Sequence, residues 1–294
     1  MKFVRFNQGR IGLLDNDVIH DITVREGIDT AAWPPVSAVS TIARYCNHVD
    51  AMLRDLDQAP KVALADAKLQ CPIDWPSKVI AYPANYHDHI DETKTASFDL
   101  ISVFPANAQG FFLKANSSLS GPSDPILLPA LDREIHHECE MAIIIGKGGR
   151  FIAPEDALDH IFGYSALLDM VVRGREERVM RKSFDTFCPL GPWITLARDV
   201  SDPSNIDLRL SVNGVERQRA NTRDLIVSIP HMISMASAVT TLYPGDVIAT
   251  GTPAGVAAVK GGDHIVSEIA GIATLSLDVV QTTKGQHPVW DKAS

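Results

Sequence analysis

The run IDLRLSVNG, residues 206–214, constrains the fold more than any other stretch of this chain. Ile206, Leu208, Leu210 and Val212 alternate with polar residues, which places them on one face of a strand. Asn213-Gly214 is the dipeptide favoured in two-residue hairpin turns, so VERQ should return as the paired strand. Further strands are expected at MAIII before Gly146, at DVIAT after Gly245 and through HIVSEIAGIATLSLDVV near the C-terminus. A sandwich or barrel accommodates this many short strands. Two helices interrupt the β pattern. One is expected near PEDALDHIF, the other over 229–242, where Ser228 can cap, Pro230 fits the first turn, and Met232, Ile233, Ala236 and Val239 form a core-facing side.

The first seventy residues read differently. FVRF, RIGLL and VIHDI, separated by NQG and DND, suggest a small antiparallel meander. A helix should follow, capped by Ser40, with Ile42, Tyr45, Val49, Met52, Leu53 and Leu56 as its apolar face. Pro72 and Pro76 mark 69–77 as a linker. The expected organisation is a small N-terminal α/β domain over residues 1–70 and a mainly β domain with some helix over 71–294.

Of the 294 residues, 45% are hydrophobic and 21% charged, enough apolar material for a folded core. A net charge of -9 with no Lys/Arg run argues against a nucleic-acid partner. The stretch MKFVRFNQGRIGLL lacks the uninterrupted apolar segment of a signal peptide or membrane span, so a cytoplasmic protein with no membrane partner is expected. Cys46, Cys71, Cys139 and Cys188 lack CxxC spacing and are read as reduced and structural.

In HHECEMAIIIG, Glu138 and Glu140 project to one side of a strand while Cys139 points to the other. Two carboxylates this close repel, and a hard divalent cation with oxygen ligands resolves the conflict. Asp169, in the apolar context GYSALLDMVVRG, is the third acid that needs a partner. The alternative for the pair is a solvated strand face. His136 shares their side and suits a supporting or structural role better than magnesium ligation.

These segments belong to a recognisable series. KVIAYPANYHDHIDE, FFLKANSSLSGPSDPILLP, HHECEMAIIIG, GYSALLDMVVRG, KSFDTFCPLGPW, VNGVERQRANT and PGDVIATGTPAGV run in order from about Ser77 to Val280. In them the chain resembles the fumarylacetoacetate hydrolase superfamily in its short two-part bacterial form. The resemblance implies a mixed β-sandwich roll, a homodimer, and Mg2+, or else Mn2+ or Ca2+, held by Glu138, Glu140 and Asp169. It also implies a small 2-oxo acid as substrate.

Other positions carry over one at a time. His89 and Glu92 match a His-x-x-Glu pair on a lid, where Glu orients His for proton transfer from water. The spacing alone equally describes an exposed helix pair. Tyr86, Arg173, Lys182 and Thr252 match positions that face the substrate. Surface solvation is the alternative for the two cations and a plain tight turn for the glycine-flanked threonine. Two departures stand out. Glu176 replaces a glutamine found in many members, which favours a substrate hydroxyl or neutral donor over a second carboxylate. The 93–110 segment, with Phe98, Leu100, Ile101, Val103 and Phe104, is apolar for a loop and is expected to shape a substrate tail pocket or meet a dimer partner.

The expected reaction is hydrolytic carbon-carbon cleavage of a 2,4-dioxo acid, an acylpyruvate, to pyruvate and a carboxylic acid. The rivals are a lyase or isomerase using the same head group, or a non-catalytic 2-oxo-acid binder.

Overall fold

A computed structural model describes residues 1–46, 48–95, 104–285 and 290. Asn213 and Gly214 both have positive φ, 52° and 77°, and close the hairpin between strands Asp207–Val212 and Val215–Asn221. Leu208, Leu210 and Val212 are buried as the alternation requires, with Ile206 packed beside them. These two strands join His264–Ile269, Ala273–Gln281 and Ile126–Leu128 in a five-stranded sheet.

That sheet packs on a larger one of twelve strands, whose centre is Cys188–Leu196, Ile161–Leu168, Cys139–Ile145 and Val247–Ala249. Met141, Ile143 and Ile145 point into the sandwich core with Leu210, Ile265 and Leu277. Ala142 and Ile144 point the other way, into a second core with Ala38, Ile42 and Met52 of the N-terminal helices. A central strand covered on both faces is apolar throughout, which is why MAIII shows no alternation. The chain thus forms the mainly β sandwich with helices that its sequence indicated.

The N-terminal meander is hydrogen-bonded into this large sheet. Lys2 and Phe3 pair with Thr195 and Ile194, and the Phe3 and Phe162 rings meet edge to face at 5.5 Å. The 69–77 stretch lies against it, with Leu69–Gln70 paired to Lys2–Phe6 and Cys71 and Ile73 buried.

Three local expectations are corrected. The first helix begins at Ser37, three residues before Ser40, because Asp74 reaches across from the 69–77 stretch to accept from Ser37 Oγ (2.9 Å) and the Ala38 N–H (3.1 Å). It ends at Tyr45, and a separate turn covers Val49–Met52. PEDALDHIF forms a 3-10 helix over Pro154–His160, tied off by His160 Nδ1 on the Lys147 carbonyl at 2.7 Å. The Ser228-led helix stops at Val239, since Leu242 is drawn into pairing with Gly149. Ser228 turns its hydroxyl to His231 Nδ1, 2.8 Å away, and makes no side-chain cap hydrogen bond.

Glu26 anchors the N-terminal helix to the meander. It accepts from Tyr45 Oη (2.7 Å), Arg25 Nε (2.8 Å) and Arg44 Nη1 (2.7 Å). Burial pushes its carboxyl up, but these three donors together outweigh that and hold it below the ordinary range. A depressed acid stabilises the fold above its unfolded pKa and loses that contribution as pH falls through the folded one. Glu26→Gln is therefore expected to cost about 1–2 kcal/mol at neutral pH. Denaturant melts should show the gap to wild type closing under acid conditions, and a pH-independent gap would rule out the charge as its source.

Candidate active site

Glu138, Glu140 and Asp169 converge: one carboxylate oxygen from each lies within 4.8 Å of the others, and all three residues are buried. Glu140 is the second residue of the central strand Cys139–Ile145, on the face away from the sandwich core, and Asp169 follows the neighbouring strand Ile161–Leu168. The Asp169 N–H donates to the Glu138 carbonyl at 2.9 Å, which locks the two segments together. Cys139 points the opposite way, with Sγ 3.3 Å from Ser267 Oγ; burial pushes its thiol up to about 12, so it stays protonated and inert.

Three cations face the acids. Lys182 Nζ donates to Glu138 Oε2 at 2.8 Å and Asp169 Oδ2 at 2.5 Å. Lys114 Nζ bonds Asp169 Oδ1 and the Phe187 carbonyl, and Arg173 Nη2 lies 3.8 Å from Glu138 Oε1. Burial raises the Glu138 carboxyl, but Lys182, Arg173 and His89 pull it the other way, down to about 2. Burial would lower Lys182, yet the charges of Asp169 and Glu138 hold it above its ordinary value.

Glu140 is the exception. Its Oε2 accepts the Gly251 N–H at 2.7 Å, while burial and the charges of Asp169 and Glu138 hold its carboxyl well above the usual range. An all-oxygen set with one under-compensated buried acid fits a hard divalent cation. The backbone approach at Gly251 also needs glycine. Its φ is +95°, and a Cβ there would lie 2.6 Å from Asn85 Cβ and 2.8 Å from the Tyr82 carbonyl oxygen.

His89 and Glu92 sit on the helix His87–Thr95, with His89 Nδ1 3.2 Å from Glu92 Oε2. Glu92 Oε1 also accepts the Gly255 N–H at 3.0 Å, which ties this helix to the Gly251–Gly255 loop. Burial raises the Glu92 carboxyl, but His89 and Gly255 more than offset it, so Glu92 stays ionised. Asn85 braces the base of the helix, donating to the Val227 and Thr250 carbonyls and accepting the Val227 N–H.

Of the remaining positions, Tyr86 is buried with a hydroxyl that has no hydrogen-bond partner among the described residues. Thr252 is buried and accepts from Gln218 Nε2 at 2.8 Å. Arg173 donates through Nε to His136 Nδ1 at 3.0 Å, so His136 supports an arginine; burial, with Arg173 beside it, lowers its pKa. Glu176 pairs through Oε1 with Arg133 Nη2 at 3.1 Å, and its buried Oε2 has no hydrogen-bond partner among the described residues. Phe98, Leu100, Ile101 and Val103 lie outside the described residues; Phe104 is exposed.

Sequence reasoning overlooked Lys114, Gln218 and Arg133. Lys114 carried a usable signal, because a lysine ending the apolar strand Phe112–Lys114 is rarely buried without a carboxylate partner. Gln218 and Arg133 carried none.

Residues 78–280 match the family model described as "Fumarylacetoacetate (FAA) hydrolase C-terminal". The chain belongs to the fumarylacetoacetate hydrolase family. Among relatives in this family, the maleylpyruvate hydrolase of Aquipseudomonas alcaligenes is 38% identical over 287 residues, covering 95% of this chain and 99% of its own. A mitochondrial oxaloacetate tautomerase of Xenopus laevis is 37% identical over 229 residues, covering 74% of this chain and 69% of its own. The crystal structure of maleylpyruvate hydrolase from Sphingobium sp. SYK-6 in complex with manganese (II) ion and pyruvate superposes with a TM-score of 0.85. It is 48% identical, and the match covers 96% of this chain and 100% of that one. Among the described residues no helix is long and apolar enough to cross a membrane.

Proposed function

We propose that this protein hydrolyses a carbon-carbon bond of an acylpyruvate, releasing pyruvate and a carboxylic acid, with maleylpyruvate the first substrate to try. The observation that carries the reading is the His89–Glu92 pair, bonded to the loop that holds Glu140 and close enough to Glu138 to depress its carboxyl. A site that only bound a 2-oxo acid would have no use for an oriented imidazole there.

Glu138, Glu140 and Asp169 would hold Mg2+ or Mn2+, which when bound supplies a Lewis acid for the substrate's 2-oxo group. Local charge supports this. Three carboxylates stand against Lys114, Lys182 and Arg173, so a divalent ion leaves a surplus of two positive charges, which a carboxylate and a developing enolate neutralise. Thr252 and Arg173 bind the substrate carboxylate, and the Tyr86 hydroxyl donates to a substrate oxygen. Glu176, through Oε2, accepts from a hydroxyl or neutral donor.

His89, its Nδ1 engaged by Glu92, takes a proton from water through Nε2. The hydroxide so formed attacks the 4-oxo carbon. The C3–C4 bond then breaks, its electron pair passes to C3, and Lys182 steadies the pyruvate enolate until C3 takes up the proton that His89 removed from water. The acyl fragment leaves as a carboxylic acid. The working form is taken to be a cytoplasmic homodimer; the four free thiols, three of them buried, suit a reducing compartment.

Product analysis by NMR on maleylpyruvate, other acylpyruvates and oxaloacetate, with Mg2+ or Mn2+, tests the reading. Pyruvate and a carboxylic acid in equal amounts are expected from acylpyruvates. Tautomerised or decarboxylated oxaloacetate, with acylpyruvates untouched, would replace hydrolysis by the lyase or isomerase alternative that the Xenopus relative exemplifies.

A further inference from the structure

Gln218 is buried beneath the site and makes four hydrogen bonds. Its Oε1 accepts the Cys139 backbone N–H at 3.0 Å and lies 3.0 Å from His137 Nδ1. Its Nε2 donates to Thr252 Oγ1 at 2.8 Å and to the Pro253 carbonyl at 2.9 Å. A backbone N–H can only donate and a carbonyl can only accept, so the amide has one permitted orientation. Nε2 therefore faces Thr252, and Thr252 Oγ1 is the acceptor in that bond. Its own O–H proton must point elsewhere. Among the described residues Thr252 Oγ1 has no other hydrogen-bond partner, and the residue just before it, Gly251, already directs its N–H at Glu140.

We infer that Gln218 is a positioning residue that sets the polarity of the Thr252 hydroxyl, committing it as a donor to the carboxylate of a 2-oxo acid. The Cys139 N–H that orients Gln218 belongs to the residue between Glu138 and Glu140, so the strand presenting two of the acids also aims the hydroxyl. Gln218 thereby couples Thr252 to the segment that carries Glu138 and Glu140. The inference rests on the proposed binding of a 2-oxo acid.

The test is pyruvate binding to the manganese-loaded full chain, by calorimetry and by product inhibition. Gln218→Met, similar in length and free of polar atoms, is expected to weaken pyruvate about tenfold, the worth of one hydrogen bond to a charged group, and to leave Mn2+ affinity unchanged. Thr252→Val should show the same loss, and Gln218→Met should add nothing in the Thr252→Val background. Additive losses in the double variant, or pyruvate affinity within about twofold of wild type in Gln218→Met, would overturn the inference while leaving the proposed reaction intact. Should Gln218→Met not fold, Gln218→Glu keeps the Oε1 acceptor while losing the donor and is judged on the same two criteria. A wild-type protein that neither binds pyruvate nor cleaves acylpyruvates sinks both readings together.

Discussion

Glu140→Gln is expected to abolish stabilisation by Mn2+ and to lower acylpyruvate turnover by more than about a hundredfold. Altering groups that merely support a metal ligand already costs about ten- to a hundredfold, and Glu140 is proposed as a ligand itself. In thermal melts, wild type at free Mn2+ about a hundred times its Kd gains about 2.7 kcal/mol, and the variant gains none. The metal-free proteins should rank the other way. Burial with Asp169 and Glu138 alongside holds the Glu140 carboxyl above its unfolded value. An acid raised in this way destabilises the fold increasingly as pH climbs from the unfolded pKa through the folded one. Glutamine removes that cost, so the metal-free variant is more stable than wild type at neutral pH, and the advantage fades in acid. A variant that Mn2+ stabilises as strongly as wild type would take Glu140 out of the site.

His89→Ala should lower kcat by about 10²- to 10⁴-fold, the range supplied by one positioned general base. Mn2+ stabilisation and pyruvate affinity should hold within about threefold, because His89 is placed to handle water and carries no ligand atom in the acid cluster. Glu92→Gln should give a kcat between those of wild type and His89→Ala, since Glu92 bonds His89 Nδ1 and holds the ring in place. Full hydrolysis by a metal-competent His89→Ala protein would end the case for this pair as the water-activating group.

The two experiments rest on residues that differ in how visible they were. Glu138 and Glu140 were legible as neighbours on one strand face because a strand repeats every two residues, and His89 and Glu92 as neighbours on one helical turn; their roles came from the family resemblance. The hairpin at Asn213-Gly214 was legible for the same reason: turn chemistry acts over two residues. Asp169 stood out only as an acid in apolar surroundings, and its distance from the glutamates came from strand pairing.

Contacts made across the chain had no such local trace. Asp74 starts a helix whose first residue lies 37 positions earlier, so a reading of nearby residues settled on Ser40. Lys114 meets Asp169 across 55 positions and Gln218 meets Thr252 across 34. Arg133 holds Glu176 from 43 positions away, which makes the glutamate part of an ion pair as well as a departure in a motif.

What the sequence determined by itself was therefore the Asn213-Gly214 hairpin, several of the strands, and the spacing that sets Glu138 beside Glu140 and His89 beside Glu92, because alternation, turn geometry and helical spacing are local and are carried by neighbouring residues. Only the tertiary structure decided which charges are compensated. Glu138 and Asp169 have lysine partners and Glu140 has a backbone N–H, and that inequality follows from which strands lie side by side. It also decided that Thr252 Oγ1 accepts from Gln218, because a hydroxyl rotates to suit its neighbours and those neighbours are set by the fold.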